Sequence, residues 1–149
     1  MTTVVWLRDE LFLENNAAVA GAAAAAVRDG DRRVVPLVVV RLERWVTLDA
    51  STRRRQLEAL RTLDDALDDQ LLFQHGEPAQ VLRTVVRAAS ATEVHVASSR
   101  SSADLLDEEA VEAALDVPLV RHAPATSTSS LAAVRWWMPV DCHGYPPTV

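Results

Sequence analysis

The chain has 149 residues, enough for one domain with a real core, and its 49% apolar and 24% charged residues are those of an ordinary soluble globular protein. A net charge of −6 and a pI of about 5.1 speak against unaided DNA binding, which calls for a basic face; the one basic cluster, Arg53-Arg54-Arg55, opens a helical segment and reads as a solvated face. Cys142 is the single cysteine, so an internal disulfide and a cysteine-rich zinc site are both excluded.

In chain order, Met1-Thr2-Thr3-Val4-Val5-Trp6 lacks the basic segment, apolar run and cleavage site of a secretory leader and reads as a first strand. No apolar stretch reaches membrane-spanning length, the alanine-rich 17–27 included, so the expected setting is the cytoplasm with no membrane contact. Short β-branched runs then alternate with segments of helical period, the pattern of a parallel sheet covered by helices. The strand candidates are 3–7, 33–40, 71–74, 93–97 and 118–121. Residues 34–40 are almost continuously apolar, as a strand buried on both faces should be, although Pro36 removes a ladder donor.

Asn15 or Asn16 can cap the first helix, and Asp29-Gly30 supplies its stop. Leu57, Leu60, Leu63 and Leu67 make one stripe of the second helix. Pro78 suits the first turn of the third, whose buried face is Val81, Leu82, Val85, Val86 and Ala89. The fourth starts near Ser101 or Ser102 and ends before Asp116-Val117-Pro118. Right-handed crossovers between such strands predict an α/β, Rossmann-like fold with about five parallel strands in the order 3-2-1-4-5 and helices on both faces. From residue 123 the character changes to a small-polar linker and then an apolar tail with Trp136 and Trp137. This divides the chain into an α/β domain, 1–122, and a tail, 123–149, which folds back on its own domain or forms a dimer or partner surface.

No catalytic constellation stands out. The four glycines form neither a dinucleotide fingerprint nor a Walker loop. His75, His95, His122 and His143 lack metal-ligand spacing; His95, inside a strand, reads as a packed or edge residue, and Cys142-His143 is weak evidence of a metal site. Asp64-Asp65 and Asp68-Asp69 read as a solvated helix face rather than as paired acid–base carboxylates.

Several segments, taken together and in order, resemble the N-terminal α/β half of the DNA photolyase/cryptochrome family. Residues 6–19, beginning Trp6-Leu7-Arg8 and ending Asn15-Asn16-Ala17-Ala18-Val19, are similar to its opening signature, W-F-R-R-D-L-R-L followed by D-N-x-A-L. Val35 to Val40 resembles its second strand, Arg54-Arg55-Gln56-Leu57-Glu58-Ala59-Leu60 its R-x-F-L-x-E-S-L helix, and His75-Gly76-Glu77-Pro78-Ala79-Gln80-Val81-Leu82 its H-G-D-P-x-x-V-L turn. Asp107-Glu108-Glu109-Ala110-Val111 and Val117-Pro118-Leu119 follow in register, so the resemblance covers roughly 3–122. Departures occur at Asp9, Glu10, Phe12, Arg41 and 97–102. The helical domain that holds the catalytic FAD in full-length members has no counterpart in these residues, so no catalytic FAD and no stand-alone repair activity are expected.

The resemblance implies a non-catalytic module for an antenna-type chromophore: a deazaflavin, a folate or a flavin. In open α/β sheets ligands bind beyond the carboxyl ends of the strands, near the point where strand order reverses. The candidate cofactor-binding residues there are Arg8 and Asp9 after the first strand, Arg41 and Glu43 after the second, and Ser98, Ser99 and Arg100 after the fourth. The pocket is expected between the first and fourth strands. A helical flavin-domain partner, or a second copy, would dock through Trp136 and Trp137. The alternative is an interaction or regulatory module that has lost chromophore binding.

Overall fold

The computed structural model describes residues 2–8, 11–123, 131 and 133–139. β1 (Thr2–Leu7) is buried along its whole length. Its side chains alternate between faces, so Val4 and Trp6 join one core layer and Val5 and Leu7 the other. α1 (Ala17–Arg28) follows, capped by Asn16: its Oδ1 accepts from the Ala18 and Val19 amides at 3.1 and 3.2 Å, while its Nδ2 donates to the Phe12 carbonyl at 3.0 Å. Past the helix, Gly30 takes a φ of +84°, which ends it as expected.

β2 (Arg33–Val40) leads into a short helix, α2 (Leu42–Trp45), and then α3 (Ala50–Ala66), capped by Asp49. β3 (Leu72–His75), α4 (Pro78–Ala89), β4 (Ala91–Ala97), α5 (Ser102–Ala114) and β5 (Leu119–His122) complete the expected alternation. Pro78 begins α4, and Leu82, Val85, Val86 and Ala89 bury its predicted face. The strand order is β3-β2-β1-β4-β5 with every pairing parallel, as the crossovers required.

The sheet carries a core on each face. α4 and α5 cover Val4, Trp6, Val35, Leu37, Val94 and Val96 through Leu82, Val85 and Val111. α1 and α3 cover Val5, Leu7, Val34, Val38 and Phe73 through Val19, Ala22, Leu60 and Leu63. Each fully buried Val or Leu is worth about 1.5–3 kcal/mol, so these two layers account for most of the driving force. The alanines of α1 let that helix lie close to the sheet. Gly21 faces a side chain of the sheet: a Cβ there would sit 2.2 Å from Cε1 of His122.

The sequence did not lead us to expect one strand. β6 (Arg135–Trp136), from the segment assigned to the tail, pairs in parallel with β2 at Arg33 and Val34. Trp136 packs on the α1/α3 core and Trp137 on the α4/α5 core, both more than half buried, and the Arg33 guanidinium lies 4.8 Å from the Trp137 ring centre. This strand also accounts for Pro36. The Val34 carbonyl accepts from the Trp137 amide at 3.0 Å and the Val40 carbonyl from Gly76 at 3.0 Å, so even-numbered residues of β2 turn their backbone groups to this side. Pro36 therefore places its missing N–H where β6 has ended and β3, which begins opposite Leu37, has not started. No helix among the described residues is long and apolar enough to cross a membrane.

Candidate functional site

At the carboxyl ends of β1 and β2 the structure opens a cleft of about 360 Å³. Its floor comes from Trp6 and the end of β2, and one wall from Trp45 and Leu48 beside α2. Gln56 and Leu60 of α3 lie on the same side, and Asp104 and Asp107 of α5 form the facing wall. Such a volume falls within the range of small-molecule sites, and the lining mixes apolar side chains with Arg8, Arg41, Arg44, Gln56, Asp104 and Asp107. Ser101 caps α5, and the Ser99 hydroxyl donates to Asp104 Oδ2 at 2.8 Å, fixing the first turn, which carries Asp104; Asp107 follows one turn on.

Of the residues proposed from the sequence, Arg8 and Arg41 line this cleft, and both are committed to protein partners. Arg8 lies 5.0 Å from the Trp6 ring centre and donates to the carbonyls of Ala97 and Asp104. It also forms an ion pair of 3.1 Å with Glu108, whose side chain is only 1% exposed. Glu108 takes a second arginine, Arg121, at 2.8 Å. These bonds draw α5 against the end of β1 and fill the crevice between β1 and β4. The cleft consequently lies over β1 and β2, displaced from the strand-order reversal where the pocket was expected, and no β4 residue lines it.

Arg41 bridges Glu77, ahead of α4, and Asp107 of α5. Burial works against its charge, but the two carboxylates outweigh that cost and raise its pKa. Its Nε is buried and has no hydrogen-bond partner among the described residues. Asp9 lies outside the described residues. Glu43 is exposed on α2 and stands outside the cleft. Ser98 donates its amide to the His122 carbonyl at 2.8 Å, Ser99 organises α5, and Arg100 is exposed; none of the three reaches the cleft.

Sequence reasoning missed Trp6, Arg44, Trp45, Gln56, Asp104 and Asp107 as lining residues. The spacing of Arg41 to Trp45 and of Asp104 to Asp107 puts each pair on one helical face, a signal available beforehand. Arg44 is the lining arginine without an acidic partner among the described residues. Among the described residues no group of His, Cys, Asp and Glu is arranged to hold a metal; Cys142 and His143 lie outside them.

No curated protein sequence matches the chain. Solved structures do. A cryptochrome from Synechocystis superimposes with a TM-score of 0.69 at 14% identity, over 82% of this chain and 27% of its own. A photolyase from the archaeon Sulfolobus tokodaii, described with two FAD molecules and an implied light-harvesting cofactor, gives 0.72 at 16%, over 83% and 29%. A class III photolyase from Agrobacterium tumefaciens gives 0.55 at 18%, over 80% and 25%. The chain thus spans little more than a quarter of these structures, and at such identities they show the shared α/β fold. The family model for DNA photolyase matches residues 3–149. The chain belongs to the DNA photolyase family.

Proposed function

We propose that this chain is the chromophore-holding α/β module of a photolyase- or cryptochrome-type system and binds a planar, light-absorbing cofactor in the cleft over β1 and β2. The observation that carries the reading is the cleft itself: about 360 Å³, with Trp6 in its floor, Trp45 in one wall and polar side chains among its lining. Bound there, a deazaflavin, folate or flavin would absorb near-ultraviolet or blue light and pass the excitation on. Trp6 and Trp45, only 2% and 5% exposed, give the cleft an apolar base, and Gln56 and Asp104 offer hydrogen bonds to the polar edge of a ring.

Charge refines the choice. Arg8 and Arg41 are neutralised by Glu108, Glu77 and Asp107, which leaves Arg44 as the cation available to a ligand. An uncharged deazaflavin or a folate-like ring suits this balance better than a phosphorylated flavin. A net charge of −6 favours DNA contact through a partner, which supports a module acting in light-dependent repair or light sensing beside a flavin-bearing helical protein. The solvent-facing parts of Trp136 and Trp137 are one proposed docking place, for that partner or a second copy. We place the assembly in the cytoplasm.

A direct test is absorbance and fluorescence titration of the full chain with a deazaflavin, a reduced folate and flavin mononucleotide. Binding should weaken about tenfold or more in Trp45→Ala, the equivalent of roughly 1.4 kcal/mol. Failure of all three to bind near 1 mM, some 4 kcal/mol of affinity, would sink the reading, as would binding indifferent to Trp45→Ala.

A second reading, an interaction module without a chromophore, draws on exposed apolar side chains. Phe12 follows β1, Leu42 begins α2 and Val46 ends it, and Leu105 and Leu106 lie early in α5, all on segments that leave the carboxyl ends of the strands. Capture of a partner that protects these residues, with no chromophore affinity, would favour it.

A further inference from the structure

Away from the cleft, on the face covered by α1, three titratable side chains form a chain of hydrogen bonds. Glu93 Oε2 lies 2.7 Å from Nε2 of His95, and His95 Nδ1 lies 2.7 Å from Nε2 of His122. The two imidazole planes are within 14° of parallel and their centres 5.0 Å apart. That separation exceeds the nitrogen–nitrogen distance by only the two ring radii, so the rings meet edge to edge in nearly one plane rather than face to face.

The order of protons follows. The Glu93 carboxylate accepts from His95 Nε2–H, which leaves His95 Nδ1 as an acceptor for His122 Nε2–H. Both rings are then neutral, and the chain is fully satisfied. One further proton can be placed on His122 Nδ1 without breaking either bond. A second has only His95 Nδ1 to occupy, directly opposite His122 Nε2–H, and it would set two donors and two positive rings against each other. Such a pair titrates as a unit.

Other charges facing the pair are few. α1 contributes Arg28, which reaches Glu93 at 3.5 Å and lies near Asp29 at 3.9 Å; Gly21 of the same helix packs on the His122 ring. β1 presents Val5 beside His95. Glu108 and Glu112 act on the opposite face, through Arg121. β5 itself has four residues, none fully buried, and lies at the edge of the sheet. Its attachments are the ladder to β4, Leu119 on the α4/α5 core with Arg121 on the same face, and His122 on the other face.

We propose that Glu93, His95 and His122 form a proton-operated latch that holds β5 and α1 on the sheet near neutral pH and releases β5 when both rings are charged. The direction agrees with the environment: burial lowers the pKa of both histidines, against the opposing pull of Glu93. Because the folded pKa values lie below the ordinary 6.5, the unfolded strand takes up protons first. The latch is complete above 6.5 and weakens as pH falls below it.

Hydrogen exchange of the full chain tests this through two amides of the β4–β5 ladder, Ser98 bonded to the His122 carbonyl and Val94 to that of Pro118. Corrected for intrinsic rates, their opening constant should rise as the pH falls below the ordinary 6.5, by up to about tenfold per pH unit for each proton taken up. Amides between β1 and β2 should keep their protection. His122→Gln, which still donates to His95 but does not titrate, should flatten the response. Equal pH dependence in both ladders, or an undiminished response in His122→Gln, overturns the latch. Should that variant not fold, imidazole titration of the wild type by NMR decides. Two coupled steps below the ordinary value support the proposal, and two independent titrations at 6.5 refute it.

Discussion

Glu108→Ala is the most demanding perturbation of this fold. Glu108 is 1% exposed and carries Arg8, itself 10% exposed, together with the outer guanidinium of Arg121. Removing the carboxylate leaves Arg8 its two carbonyl acceptors, Ala97 and Asp104, but no counter-charge among the described residues. Breaking one side of a buried pair costs about 3–5 kcal/mol, and the surviving carbonyls put the expectation near the lower end, about 3 kcal/mol. Against a total stability of about 5–15 kcal/mol that is a large share. In urea, with a slope of about 1–3 kcal/mol/M, the midpoint should fall by about 1–3 M. Glu112→Ala removes the solvent-facing partner of the same Arg121 and should cost no more than about 1 kcal/mol. The double variant Arg8→Met/Glu108→Leu, which removes both charges and retains apolar volume, should recover most of the loss. A Glu108→Ala protein within about 1 kcal/mol of wild type, or a double variant no more stable than the single one, would refute the assignment of this pair as the tie between β1 and α5.

Gly21→Ala should cost about 1–3 kcal/mol in denaturant, because its Cβ would fall 2.2 Å from the His122 ring, and His122→Ala in the same chain should restore most of it. Ser90, the residue ending α4, has a φ of 52°, so Ser90→Gly should raise stability by about 0.5–1 kcal/mol; a lower melting temperature would count against the strain argument. Asn16→Ala should lose about 1–2 kcal/mol, since the side chain caps α1 and holds the Phe12 carbonyl; a loss below about 0.5 kcal/mol would show that another group caps the helix.

The elements legible in the sequence are those with a long or chemically marked pattern. β2 could be read to its end residues because its eight positions are nearly all apolar, and α1 because asparagine and glycine bracket it. α2 is one turn and β6 two residues; neither is long enough to show a period, and β6 forms where the Arg32 and Val34 carbonyls stand open beside β2 and both cores accept its tryptophans. The site was legible in one respect: chemistry gathers at the carboxyl ends of the strands, where Arg8 and Arg41 stand. What could not be read was the company they keep. Glu108 and Asp107 lie far along the chain, and only the register of α5 against β1 decides that they take up these arginines before any ligand can. The His95–His122 pair was hidden for the same reason. Its two rings meet because β4 and β5 align Ala97 with His122, a relation that the 27-residue separation does not reveal.

The broken margin of the sheet beside β2 has a consequence for self-association. An exposed strand edge recruits a neighbouring chain when it is long, straight and continuous in donors and acceptors. Here the margin is shared between four residues of β3 and two of β6, which flank Pro36 and its absent donor. The opposite margin, β5, is also only four residues long and carries Arg121 and His122. Among the described residues neither side presents a long template on which copies of the strand could stack in register, so the shortness of the outer strands guards a chain this rich in valine and alanine against fibrillar growth.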